Sequence, residues 1–195
     1  TADRLSEAFR LAFSCDPQSA HGGVAAVNRQ VDEEAARLIA EQFLECVVAP
    51  DFSQEALELL RLKKDLRLLT LPSTLVSPHE IQIHCISGGL LVEGKDNQTF
   101  AEVRSVTKRA PTEDEATAAR FAWRVAKHAK TFALVLAKGT QTVGIGAGQP
   151  SRLDAMRLAI SRANERHPIF DPKKPLVLAC DGPLPLRCLH DAAGA

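Results

Sequence analysis

Residues 132–152 constrain the fold of this chain more than any other stretch. Phe132 to Ala137 is a short apolar run that reads as a strand. It meets a turn at Lys138-Gly139, returns through Thr142-Val143, and enters three glycines in five residues, Gly144, Gly146 and Gly148. A helix start follows at once, with Ser151 as its cap and Asp154 in the capping-box position. Glycine lets the backbone take positive φ and lie close against a ligand. Free N–H groups and the positive end of a helix dipole then face the loop, and Arg152 adds a planar fork of donors. Such a site suits a phosphate or a carboxylate. The same residues also read as a tight strand-to-helix turn that needs glycine for packing. Gln149 replaces the third glycine of the dinucleotide fingerprint, and no Gly-Lys-Ser/Thr follows, so neither nucleotide motif is present.

The rest of the chain alternates strands and helices. Residues 3–14 read as a helix. Gly22-Gly23 leads into a strand from Val24 to Val27, and Asp32 caps a helix from Glu33 to about Leu44. Cys46 to Ala49 is a short buried strand closed by Pro50. Ser53 caps a helix to Lys63, and Leu66 to Leu71 is a further strand. This order predicts an α/β layer structure with parallel pairing. Residues 72–80 read as a loop. Ile81–Ile86 and Leu90–Glu93 read as a hairpin or two short strands. Residues 94–112 are polar and irregular, and Thr112 opens a long helix to about Lys130. Helix 151–165 ends before His167-Pro168. The loop 171–175 then leads to strand Leu176–Cys180, and a last helix starts near Leu186. The expected organisation is two α/β halves, residues 1–95 and 96–195.

Lysine plus arginine and aspartate plus glutamate stand at 24 each, so no basic excess supports nucleic-acid binding. No apolar run is long enough to span a membrane, and the N-terminus lacks the apolar core of a signal peptide. Five scattered cysteines without a C-x-x-C suit a reducing, cytoplasmic setting. His84-Cys85 is the only adjacent pair of zinc-type ligands, so no metal is expected.

Eight collinear segments resemble the transformylase domain of the bifunctional purine-biosynthesis enzyme that formylates AICAR and closes IMP. They are Asp16 to Ala20 with Gly22-Gly23, Val31 to Glu34, Glu41 to Phe43, Val47 to Pro50, Gly88 to Val92, Val106 to Arg109, Ala122 to Lys127, and Gly144 to Arg152. The resemblance implies two related α/β subdomains of the layered αβα, cytidine-deaminase-like type. It also implies 10-formyltetrahydrofolate as cosubstrate, an amine of a purine-precursor ribonucleotide as small-molecule acceptor, and sites at a homodimer interface. Gly22 and Glu45 match nucleotide-contacting positions. Arg152 and Leu153 match folate-contacting positions, beside Gly146 and Gly148. No IMP cyclohydrolase domain is expected in these residues.

The chain departs from the family pattern where ligands are held. The family's catalytic Lys-His segment, ahead of Asp-Pro-x-Ser-Ala, has no counterpart here; Lys127-His128 is the same dipeptide on a helix, with His128 at the surface. Phe132 stands where the family has a nucleotide-contacting asparagine, and His21 replaces an aromatic residue. Cys180 to Cys188 keeps Asp181, Pro185 and Arg187 but loses the stacking aromatics. The resemblance therefore points to a formyltransferase diverged to another amine, with His21 or His84 in place of the lost base. The alternative is a non-catalytic ligand-binding or dimerisation module, or one subunit of a split enzyme. A zinc deaminase would need H-x-E and P-C-x-x-C, and the chain has neither.

Overall fold

The computed structural model describes residues 1–72, 81–96, 103–165 and 175–193. The first part runs α1 (Leu5–Phe13), β1 (Gly23–Ala26), α2 (Glu33–Ala40), β2 (Leu44–Ala49), α3 (Gln54–Leu60) and β3 (Arg67–Thr70). β4 (Ile81–Ile86) and β5 (Gly89–Gly94) follow. The last part runs α4 (Glu113–His128), β6 (Leu134–Lys138), β7 (Gln141–Gly146), α5 (Arg152–Glu165), β8 (Leu176–Cys180) and α6 (Leu186–Ala193). The expected loops at 73–80 and 171–174, and His167-Pro168, lie outside the described residues, as do residues 97–102 of the expected irregular stretch.

β1, β2 and β3 form a parallel sheet in that order, as the alternation predicts. Helices start where their caps stand. The Asp32 carboxylate accepts from Ala35 N at 2.8 Å, and Ser53 Oγ accepts from Ala56 N at 3.2 Å. α2 closes at Ala40 rather than Leu44. Lys63 Nζ donates to the Gln42 carbonyl at 2.8 Å just past its end, and Leu44 already belongs to β2. Val31, Ala35, Ala36, Ile39, Val47, Ala56 and Leu60 are fully buried between these helices and the sheet. Side chains of the size of Ile39 and Leu60 each contribute roughly 1.5–3 kcal/mol on burial.

The second sheet has the order β7-β6-β8, with β6 antiparallel to both neighbours. Residues 133–137 are buried throughout because both faces of β6 are covered. Val135 and Ala137 pack on Ala122 and Ala126 of α4. Leu134 and Leu136 point the other way, into clusters with Met156, Ala155 and Ala159 of α5 and Cys188 of α6. The alternation of period two thus builds a helix–sheet–helix sandwich. The described residues are mixed α/β, with one parallel and one antiparallel three-stranded sheet.

β4 and β5 form a separate antiparallel hairpin through Ser87-Gly88, with Gly88 at φ 82°. Among the described residues, several contacts tie the first part to the second, with Thr140 Oγ1 donating to the Thr1 carbonyl and the Thr1 amine donating to the Thr140 carbonyl. Arg162 Nη1 lies 3.1 Å from Asp16 Oδ2 and also donates to the Ile145 carbonyl at 3.0 Å. Gln141 Nε2 donates to Ser14 Oγ at 3.2 Å. Among the described residues no helix is long and apolar enough to cross a membrane.

Candidate functional site at the end of the second sheet

Because β6 runs against both neighbours, its start lies beside the ends of β7 and β8. Leu134 pairs with Gly146 on one side and Cys180 on the other. Residues 130–133, 147–152 and 180–182 therefore converge. Gly148, at φ 65°, donates its N–H to the Lys130 carbonyl at 2.7 Å, and Asp181 N donates to Ala133 O at 3.3 Å. Ser151 Oγ accepts from Asp154 N at 3.1 Å and donates to Asp154 Oδ2 at 2.6 Å, so the expected cap of α5 is in place.

Arg152 occupies the middle of this convergence. Its guanidinium carbon stands 4.3 Å from the centroid of the Phe132 ring. Nη2 is 3.8 Å from Asp181 Oδ1, and the two side chains are only 22% and 15% exposed. Gly182 makes room for it: a Cβ there would lie 2.2 Å from Nη2. The Arg152 Nε donor is buried and has no acceptor among the described residues. Thr131 Oγ1 donates to the other Asp181 oxygen at 2.6 Å. Burial alone would raise the Asp181 carboxyl. The Thr131 hydroxyl, the backbone at Ala133 and the nearby Arg152 charge outweigh it and hold the group below its ordinary value.

A cavity of about 290 Å³ opens next to this cluster, lined by Asp96, Trp123, Lys127, Thr131, Cys180 and Asp181. Trp123 and Lys127 reach it together because they are one helical turn apart on α4. Lys127 Nζ donates to the Asp96 carbonyl and lies 3.4 Å from Asp96 Oδ1. The sequence reading did not single out these two residues for chemistry; their spacing of four was the available signal. A larger groove of about 810 Å³ runs between α1, β1, α4 and β7, but its walls are mainly apolar, among them Phe9, Val24, Phe121, Val125 and Ile145.

The glycine run divides in two. Gly148 takes positive φ and serves the turn. Gly144 and Gly146 do not, and both belong to β7. A Cβ on Gly146 would lie 1.8 Å from the Ala155 carbonyl oxygen, and one on Gly144 would lie 2.1 Å from that of Ala159. These two glycines let α5 sit directly on the strand, so at them the packing reading holds and the expectation of a ligand-cradling positive φ does not. Leu153 likewise packs on the Leu134, Ala155, Met156 and Cys188 cluster.

The remaining candidates lie elsewhere. Gly22, at φ 72°, donates its N–H to the Phe43 carbonyl at 2.8 Å, and the His21 ring tilts against Phe43 at 4.7 Å between centroids. Glu45 sits beside them on β2, 3.7 Å from Arg67. This group is at the start of the first sheet, and Phe132, Gly148 and Arg152 are at the end of the second. His84 faces Glu93 across the hairpin at 3.3 Å, with both side chains more than half exposed. Neither His21 nor His84 lines the Asp181 cavity. His128 is exposed, as expected. Among the described residues no cluster of three or more His, Cys, Asp or Glu is placed to hold a metal.

Comparison with known proteins bears on this arrangement. A family model described as AICARFT/IMPCHase bienzyme matches residues 1–162. The bifunctional purine biosynthesis protein PurH of Halalkalibacterium halodurans is 49% identical over 168 residues, which are 85% of this chain and 33% of that protein. Its namesake from Sorangium cellulosum is 49% identical over 170 residues, again 85% of this chain and 33% of the relative. The one from Anoxybacillus flavithermus is 43% identical over 193 residues, 98% of this chain and 37% of the relative. The chain thus spans about a third of the length of these relatives.

Proposed function

Since the chain belongs to the AICARFT/IMPCHase bienzyme family, we propose that it contributes the folate side of a formyl-transfer site in purine biosynthesis. In this reading 10-formyltetrahydrofolate gives its formyl group to the amine of a purine-precursor ribonucleotide, an amine other than that of AICAR. The carrying observation is the buried Arg152 Nε at the first residue of α5, a donor without an acceptor among the described residues. A folate carboxylate oxygen would satisfy it, in a place where the helix terminus also favours negative charge. Gly148 shapes the turn beside it. Division at residues 95 and 96 into two cytidine-deaminase-like units, a homodimer and a cytoplasmic location belong to the same proposal. The base for the amine is not assigned: the His21 ring tilts against Phe43, His84 faces Glu93, and neither lines the cavity beside Asp181.

One observation favours the second reading, a ligand-binding or dimerisation module without turnover. Phe132 supplies a ring to Arg152 where the family's asparagine would supply hydrogen bonds to a nucleotide, and Asp181 already neutralises part of the Arg152 charge. Loss of a positioned polar group at a charge-developing centre costs on the order of a hundredfold or more in rate.

Titration calorimetry with a folate, run on the chain and on Arg152→Ala, tests binding. The expected result is saturable binding that weakens at least about tenfold in the variant, since a charge-assisted hydrogen bond contributes roughly 1.5–3 kcal/mol. Absence of binding at millimolar folate refutes the folate reading. Formyl transfer to a panel of amine ribonucleotides then separates the two readings.

A further inference from the structure

Arg152 carries its charge where a cation is least favoured. It is the first residue of α5, and the N-terminus of a helix bears partial positive charge. Three neighbours compensate. The Phe132 ring covers one face of the guanidinium, Gly182 leaves space for Nη2, and Asp181 supplies the opposite charge. Yet Asp181 closes no hydrogen bond with it: Oδ1 stands 3.8 Å from Nη2, beyond bonding reach. The carboxylate is anchored from its other side. Oδ2 accepts from Thr131 Oγ1 at 2.6 Å, a short charge-assisted bond, and the Asp181 N–H is tied to the Ala133 carbonyl at 3.3 Å. A carboxylate free to turn would meet the guanidinium with two parallel bonds, the geometry these groups favour. Anchored, it attracts the fork without bonding to it.

We propose that Thr131 and Asp181 are positioning residues for Arg152: the hydroxyl restrains the carboxylate, and the restrained carboxylate steadies the guanidinium with Nε left for an incoming carboxylate. The proposal rests on the folate reading above and adds the groups that hold its binding residue in place. Thr131 acts through Asp181, and Asp181 acts through Arg152. The Phe132 ring fixes the plane of the fork, and the attraction at Nη2 fixes its direction within that plane. Nε is buried already, so a ligand oxygen meets a donor that is oriented and stripped of water. Less ordering is then left to the binding step. Without the Thr131 hydroxyl, Asp181 is free to swing onto the fork and compete with the ligand for its N–H groups.

The test is a double-mutant cycle on the full chain, read by titration calorimetry with folic acid. Its members are the wild type, Thr131→Val, Asp181→Ala and the double variant, with Arg152→Ala and Thr131→Ser as references. Far-UV circular dichroism checks the folding of each. Thr131→Val keeps the shape of the side chain, loses the hydroxyl, and should weaken binding about tenfold. Thr131→Ser keeps the hydroxyl and should bind as the wild type does. In the Asp181→Ala background, Thr131→Val should have no further effect, an outcome that a merely structural role for the hydroxyl would not give. A crystal structure of Thr131→Val without ligand should show Asp181 and Arg152 in direct contact, at about 3 Å. Equal weakening by Thr131→Val in both backgrounds overturns the positioning role and leaves the folate reading. So does wild-type affinity in Thr131→Val when Arg152→Ala binds weakly. A wild type that binds no folic acid at millimolar concentration overturns the folate reading; an Arg152–Asp181 separation in Thr131→Val unchanged from 3.8 Å overturns the positioning role by itself.

Discussion

Replacing Gly146 by alanine tests the packing of α5 on β7 directly. The added Cβ would lie 1.8 Å from the Ala155 carbonyl oxygen, 2.6 Å from its carbon and 3.0 Å from its Cα. All three are backbone atoms, so no rotamer change relieves the clash. To reach an ordinary contact of about 3.5 Å the helix must rise by roughly 1.7 Å or more. That movement would loosen Ala155, Met156 and Ala159, which are fully buried. Overpacking by one methyl commonly costs ~1–3 kcal/mol, and a rigid opposing atom puts this site at or above the upper end. Gly144→Ala meets the Ala159 carbonyl at 2.1 Å and should cost a similar amount. The double variant should cost less than the sum, since one displacement of α5 serves both. Gly94→Ala, with nothing within 4 Å of its Cβ, is the control and should change stability by no more than ~0.5 kcal/mol. Urea unfolding followed by far-UV circular dichroism and by the fluorescence of Trp123, the single tryptophan, measures each. A loss below about 1 kcal/mol for Gly146→Ala would refute the close helix–strand contact.

Three further outcomes follow from the same structure. Ser53→Ala should destabilise the chain by about 1 kcal/mol in urea unfolding, since the Ala56 N–H loses its acceptor at the start of α3. Arg162→Ala removes both the Asp16 ion pair and the bond to the Ile145 carbonyl; with side chains 31% and 21% exposed the cost should be about 1 kcal/mol, read from the same unfolding curves. The third concerns pH. Paired bonds from Arg109, then the Thr112 N–H, lower the Glu115 carboxyl to about 2. An unfolded glutamate titrates near ~4.3, so this group stabilises the fold fully above that value and progressively less as pH falls towards 2. Glu115→Gln should therefore flatten the acid limb of a stability–pH curve; an unchanged limb would count against the Arg109–Glu115 pairing.

Local signals carried most of the fold. Asp32, Ser53 and Thr112 each stand at the helix start that their side chains imply, and Ser87-Gly88-Gly89 closes a hairpin. α2 ends at Ala40, short of the expected Leu44, because Gln42, Phe43 and Leu44 continue an acceptable helical pattern in sequence, whereas the Gln42 carbonyl accepts from Lys63, distant in sequence, and Leu44 enters β2. The antiparallel β6–β8 pairing depends on contacts some 40 residues apart, which periodicity cannot report. At the candidate site, Arg152 and the Ser151 cap were legible, but the roles of the glycines were not. Glycine serves positive φ and close approach equally well, and one sequence does not distinguish them. The distinguishing signal lay on the other partner. Ala155 and Ala159, one turn apart on α5, face Gly144 and Gly146, two apart on β7. Phe132 was legible as a departure, yet its stacking under Arg152 required the geometry.

The junction of α5 with β7 has an evolutionary consequence. Any side chain at Gly144 or Gly146 meets backbone, so a substitution there costs stability, whatever reaction the protein performs or has ceased to perform. A match at those two letters is therefore evidence of ancestry and silent about turnover. Judging activity in distant members of such a lineage has to rest on positions like Phe132 and Asp181, where a change alters the chemistry while leaving the scaffold standing.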